Sequence, residues 1–198
     1  MPHSQRASLS KSFYHQPTID LAQALLGCIL VKETTEGVTS GVIVETEAYL
    51  GATDRAAHGF KNRRTKRTEI MFGEPGHAYT HLMHTHCLIN VVSGEINQPE
   101  SVLIRALEPY EGIDLMLKRR PVNKLQNLTS GPGKLTKAMG IDMNDYGHSF
   151  LYPPLFITEG NKKPPHIATG TRIGIDNSGE AKDYPLRFWV AGNKFVSR

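Results

Sequence analysis

Residues Val42 to His58, VIVETEAYLGATDRAAH, decide how the rest of the chain is read. Val42, Ile43 and Val44 have the character of a buried strand; Glu45, Glu47 and Tyr49 then alternate with Thr46, Ala48 and Leu50. Successive side chains of a strand point to opposite faces, so this period of two sets both glutamates and the tyrosine on one face. Gly51 ends the strand, and Asp54 to His58 suit a short helical turn capped by Thr53, which folds His58 back towards the strand end. A carboxylate, a phenol and an imidazole thereby converge on one point. That set suits a general base activating water beside a flat, polar substrate. Glutamates on an open strand face are mostly solvated; Glu45 is read that way and Glu47 as the base.

Working back from this stretch, Thr18 to Leu26 has helical spacing of apolar residues with Gly27 as its stop, and Cys28 to Val31 is a strand that returns through the Glu36-Gly37 turn into Gly41 to Tyr49. Residues 1 to 11 are polar and expected to be loose, leaving 12 to 198 as one domain. Working forward, GFKNRRTKRTEI (59–70) is a basic loop without apolar periodicity. YTHLMHTHCLINVV (79–92) reads as a protruding hairpin reversing near His84 and Thr85. Val102 to Leu107 is an apolar strand carrying Arg105, a charge that needs a partner there. Glu111 to Arg119 and Leu135 to Met139 are short helices, the second capped by Ser130 and closed by Gly140. Leu155 to Glu159, Arg172 to Ile175 and Leu186 to Val190 are further strands. The fold class is α+β: a single mixed, mainly antiparallel sheet with short surrounding helices.

Twenty-three basic against nineteen acidic residues give a net charge of +4 and a pI near 9.1, which permits a polyanionic partner without requiring one. Lys61, Arg63, Arg64, Lys66 and Arg67 fall within seven residues, and Lys118 to Arg120 form a second cluster. The two cysteines, Cys28 and Cys87, lack zinc-finger spacing and read as small buried hydrophobes of a reducing compartment. No apolar run has signal-peptide or membrane-span length, so a cytoplasmic protein is expected, nucleoid-associated if bacterial. A monomer is the default, since no exposed heptad calls for a partner.

His77, His81, His84, His86 and Cys87 invite a metal reading, but a strand sets His84 and His86 on one face and His81 on the other, so no metal is expected. There is no GxxxxGK[ST] or G-x-G-x-x-G to hold a nucleotide cofactor, and no Gly-x-Ser-x-Gly elbow. A basic carboxylate, flat side chains, a buried arginine and a basic loop together suit cleavage at a sugar of a polyanion. Hydrolysis of an N-glycosidic bond needs a water aimed at the anomeric carbon and a carboxylate near the cation-like sugar.

With VETEAYLG, D-x-A-A-H, MF-x-x-PG, the Asn90 strand end, LIRALEP, SGPGKL, RIGI and PLRFWVAGN in order, the chain resembles the alkyladenine (3-methyladenine) DNA glycosylase family from residue 13 onward. The resemblance implies a monofunctional base-excision enzyme without metal or organic cofactor. Such an enzyme flips a damaged purine out of duplex DNA and hydrolyses its glycosidic bond. It further implies Glu47 as the base, Arg105 as the group holding the water and the carboxylate, and the main-chain carbonyl of Ile175 as a third water ligand. Tyr49, His58, His81 and Asn90 would line the base pocket, and a tyrosine face over a cationic alkylpurine gains about 0.5 to 2 kcal/mol. Phosphates would be gripped by Arg63, Arg64, Lys66, Arg67 and Lys134.

Two positions depart from the family pattern. His81 stands where relatives have a stacking tyrosine, and His84 where they have the tyrosine that plugs the vacated stack. Imidazole covers less area than phenol, so the wedge is expected to be shared by His84 with Met83 or Leu82. Alkylated purines are the expected substrates, with deaminated or etheno-bridged purines as an extension. The rivals are a catalytically inactive nucleic-acid-binding module of the same fold and a metal-dependent hydrolase using the histidines.

Overall fold

The computed structural model describes residues 7–197. β1 (Ile29–Thr34) and β2 (Gly37–Tyr49) form a hairpin in which Thr34 faces Gly37 across a two-residue turn at Thr35 and Glu36, one position before the Glu36-Gly37 turn expected. β3 (Ala78–Met83) and β4 (His86–Val92) form the second hairpin, and β5 (Ser101–Glu111) pairs with both β4 and β2. With β6 (Leu155–Thr158), β7 (Ile167–Gly170) and β8 (Arg187–Val190) they make one eight-stranded sheet, in order β3-β4-β5-β2-β1-β6, with β8 joining β2 to β7. The strand pairings are antiparallel. Among the described residues four short helices pack around the sheet: α1 (Lys11–Tyr14), α2 (Thr18–Ala24), α3 (Ile113–Arg119) and α4 (Pro132–Met139). This is the expected α+β architecture with its projecting hairpin.

β2 is the longest strand and its two halves have different neighbours. Residues 37–42 pair with β1, and Glu45 to Glu47 pair with β8. At the changeover the ladder with β5 is irregular, Ile43 facing Leu107 and Glu45 facing Ala106, with regular pairing resumed at Thr46 and Ile104. The core contacts change parity across this paired bulge. Ile43 and Leu107 enter the core before it; Ala48, Ile104 and Val102 do so after it, while the Thr46 hydroxyl donates to the Ala22 carbonyl at 2.7 Å. The remaining side chains, Glu45, Glu47 and Tyr49 on β2 with Leu103 and Arg105 on β5, are thereby aimed at the opposite face. A bulge that re-aims side chains beside a site is a common device.

The core lies between the sheet and the helices, where Tyr14, Leu21, Leu25, Ile43, Ile104 and Phe150 are fully buried. Each such side chain contributes about 1.5 to 3 kcal/mol relative to exposure. α2 ends at Ala24, two residues before the expected Leu26, and the turn that follows closes at Gly27, whose φ of +88 would strain a residue bearing Cβ.

Several local expectations are corrected. Thr53 is not a cap: residues Gly51–Thr53 are a 3-10 turn, and the buried Asp54 carboxylate accepts the amides of Leu50 and Ala56, both at 3.0 Å. Ser130 does not cap α4, because Gly131 holds that position and Pro132 opens the helix. Glu111 belongs to β5, and α3 starts only at Ile113. Arg172 to Ile175 is not a strand; the buried Arg172 ion pair and the left-handed Gly174 (φ +77) bend it away from any ladder. The strand in this region is β7, just upstream. The basic loop contains 3-10 turns at Phe60–Asn62 and Glu69–Phe72. Of the amino-terminal segment expected to be loose, residues 1–6 lie outside the described residues, while Ser8 bridges to Thr158 and Leu9 is buried. Cys28 is buried and Cys87 only half-buried; burial pushes their thiols up to about 12 and about 11, which keeps both protonated.

Candidate active site

Glu47 is fully buried and its carboxylate is held from three directions. Oε1 accepts the Ile173 amide at 2.8 Å and lies 3.2 Å from Arg105 Nη1, while Oε2 accepts the Tyr49 hydroxyl at 2.8 Å. Burial raises the Glu47 carboxyl above the ordinary carboxylate range; Arg105, the Ile173 amide and Tyr49 act against that shift. A carboxylate desolvated yet fixed by donors is a more competent base than one in water. Tyr49 is in turn set by Arg172, whose guanidinium lies 4.6 Å over its ring. Arg172 is itself locked by Asp54 at 2.5 and 2.9 Å and by the carbonyls of Ala48 and Ala181.

Glu45 is not solvated; it is as buried as Glu47. Oε1 accepts from Arg105 Nε at 3.2 Å, Arg187 Nε at 2.6 Å and the Ser197 hydroxyl at 2.8 Å, and Oε2 accepts the Ser197 amide at 2.7 Å. General exposure of glutamates on strands misjudges it because its cover comes from residues 60 to 152 positions away. Arg105, expected to need a partner, has two: it bridges both carboxylates.

Beside Glu47 opens a cleft of about 70 Å³ lined by Tyr49, His58, His81, Asn90, Met83 and Ile175, all singled out from the sequence, together with Met71, Tyr79, Leu88 and Leu103. Tyr79 is the main residue missed. It stacks on His81 at 4.9 Å and its hydroxyl meets His58 Nδ1 at 2.8 Å. The Arg67 guanidinium, which can only donate, lies 3.4 Å from His58 Nε2; His58 therefore carries its proton on Nδ1. Burial, then Arg67 and Arg63, push His58 down to about 4; burial, then His58 and Arg67, push His81 down to about 3. Both imidazoles are neutral at physiological pH. His81 Nδ1 and Asn90 Oδ1 are buried without a protein partner, and the Asn90 amide donates to Ser101. Ile175 lines the cleft, but its carbonyl already accepts the amide and hydroxyl of Ser178.

A family model for methylpurine-DNA glycosylase matches residues 12–194. The chain belongs to this family. It is 72% identical over 190 residues to a protein of Oceanobacillus iheyensis, covering 96% of each chain. It is 66% identical to one of Bacillus velezensis, covering 94% of each, and 60% identical to one of Bacillus subtilis, covering 98% of each. Each of these relatives is provisionally named a 3-methyladenine DNA glycosylase.

In this methylpurine-DNA glycosylase family member the cleft is flanked by basic surface on two sides. Arg55, Arg63 and Arg67 line a depression that shares Ala56 and His58 with it. Beyond the hairpin, Arg120, Lys134 and Lys137 rim a groove that shares Met83 and Leu88 with it. Lys66 is exposed, whereas Arg64 is committed to Glu69 at 2.6 and 3.0 Å and lies over Phe72. Between the two surfaces stands the hairpin tip, with Leu82 54% and Met83 44% exposed and His84 in a left-handed conformation at φ +54. Among the described residues no group of three histidine, cysteine or carboxylate side chains is gathered for a metal, and no helix is long and apolar enough to cross a membrane.

Proposed function

We propose that this protein is a monofunctional DNA glycosylase that flips a damaged purine out of duplex DNA and hydrolyses its N-glycosidic bond with a water activated by Glu47. The observation that carries the reading is the burial of Glu47 against Arg105, the Ile173 amide and Tyr49 at the edge of an aromatic cleft. Glu47 takes a proton from the water as it attacks C1′, and its negative charge favours the cation-like sugar of the transition state. Arg105 and the bent segment around Ile173 hold the carboxylate, whereas the Ile175 carbonyl, already taken by the Ser178 amide and hydroxyl, is not counted among the water ligands.

The flipped base lies between the Tyr49 face and the walls made by His58, His81 and Tyr79. Because both histidines are neutral, a cationic alkylpurine meets π faces without an opposing charge. Asn90 Oδ1 and His81 Nδ1 are free to read its edge. Met83, with Leu82 and His84, fills the vacated stack, while Arg63, Lys66, Arg67 and Lys134 hold phosphates on either side. Arg64 contributes less, because its charge is already paired. The reading assigns no step to a metal or an organic cofactor.

The test is release of free base from a duplex carrying one alkylated or deaminated purine, with chelator present. An alkali-labile abasic strand without direct cleavage is expected. Binding without base release, at any lesion tried, would leave only a nucleic-acid-binding module.

A further inference from the structure

We infer that Glu45 is a positioning residue for excision, fixing, together with Arg187 and Ser197, the plane in which the Arg105 guanidinium presents itself to Glu47. The inference rests on the glycosylase reading. Arg105 uses three nitrogens on three partners: Nε on Glu45 Oε1 at 3.2 Å, Nη1 on Glu47 Oε1 at 3.2 Å and Nη2 on Ser197 Oγ at 3.4 Å. A guanidinium is planar, so anchoring Nε and Nη2 determines where Nη1 points. Glu45 is held no less firmly. Arg187 reaches it from β8 at 2.6 Å and donates from Nη2 to the Ser197 carbonyl at 3.1 Å, and the Arg187 guanidinium is stacked 4.6 Å over the Trp189 ring.

The arrangement is also an electrical one. Glu45, Glu47 and Arg105 are buried and Arg187 closes the set from a partly exposed position, so Arg105 divides its charge between Glu45 and Glu47. The groups facing Glu47 are Glu45 and Tyr49 from β2, Arg105 from β5, the Ile173 amide, and Arg187 as its β8 register partner; Arg172 and Asp54 lie behind Tyr49. The like charge of Glu45 raises the proton affinity of Glu47. Losing that charge would move the acid limb of the pH-rate profile, through which Glu47 protonates and activity falls, to lower pH.

The test is single-turnover excision by wild type, Glu45→Gln and Ser197→Ala across pH, with thermal unfolding and duplex affinity measured alongside. For Glu45→Gln the plateau rate is expected to fall on the order of ten- to a hundredfold, because a small misplacement of a reacting group costs about that much. Duplex affinity should hold while the acid limb shifts to lower pH. Ser197→Ala removes the hydroxyl contacts to Glu45 and Arg105 without altering charge, so its rate should fall with the limb unmoved. If Glu45→Gln does not fold, the Ser197→Ala rate decides. A wild-type rate in either folded variant, or a Glu45→Gln loss that only tracks unfolding with the limb in place, overturns the inference. Wild type that excises nothing overturns the glycosylase reading instead.

Discussion

Replacing Asp54 by asparagine is expected to weaken the fold and the site together, because Asp54 neutralises an arginine that water does not reach. The Arg172 side chain is fully buried and Asp54 almost so, and the pair is bidentate at 2.5 and 2.9 Å. Asparagine keeps the shape and one acceptor oxygen but leaves Arg172 with carbonyl partners alone. Uncompensated burial of one member of such a pair costs about 3 to 5 kcal/mol. For a chain of this size that corresponds to a fall in melting temperature of roughly 6 to 20 °C. Arg172 also begins the bent segment whose Ile173 amide donates to Glu47, and its guanidinium covers Tyr49. Excision by the folded fraction should therefore drop as well. Urea unfolding gives the stability change, provided the slope is unaltered. A loss below about 1 kcal/mol would show that water reaches the pair and would refute the burial argument.

Burial holds the Glu47 carboxyl above its ordinary value, so in the window between the two the folded chain keeps a proton the unfolded chain has released. Stability then falls as pH rises through that window and stays lower above it. Glu47→Gln should accordingly melt no lower than wild type at neutral pH, with any advantage vanishing in acid; calorimetry at pH 7 and near pH 4 compares them, and a marked neutral destabilisation would contradict the direction. Duplex affinity should fall with salt, and Arg67→Ala should reduce the log-log slope by about one; an unchanged slope removes Arg67 from the phosphate contacts. At the hairpin tip, Met83→Ala should weaken binding to a lesion duplex on the order of tenfold, more than His84→Ala does, since the wedge must offset unstacking of a few kcal/mol. The reverse order in a fluorescence titration assigns the wedge to His84.

What was legible in the sequence was local. The alternation in VETEAY set Glu47 and Tyr49 on one face, the apolar spacing from Thr18 located α2, and the Thr85 region marked the tip between β3 and β4. The arginine in VLIRAL announced a buried partner through its cost alone. What was not legible depends on strands meeting far along the chain. Glu45 looks solvated until β8 and Ser197 cover it, and Arg172 to Ile175 looks extended until Asp54 claims the arginine and Glu47 the Ile173 amide. Tyr79 carries no distinguishing signal on its strand. Its importance follows from the stack with His81 and the contact with His58, which exist only once the hairpin is folded against the loop. Ser130 and Thr53 show the smaller error of placing a capping residue one position early: Gly131 holds the position before α4 without a side-chain cap, and Asp54, not Thr53, accepts the Leu50 and Ala56 amides.

The most direct test of the central claim is single-turnover excision from a duplex bearing one alkylated purine, comparing wild type with Glu47→Gln, in chelator and at enzyme concentrations where both bind. Wild type is predicted to release the base and the glutamine variant to do so slower by on the order of 10² to 10⁴, the range expected when a general base is removed. Excision by Glu47→Gln at a rate close to wild type would mean that another group activates the water.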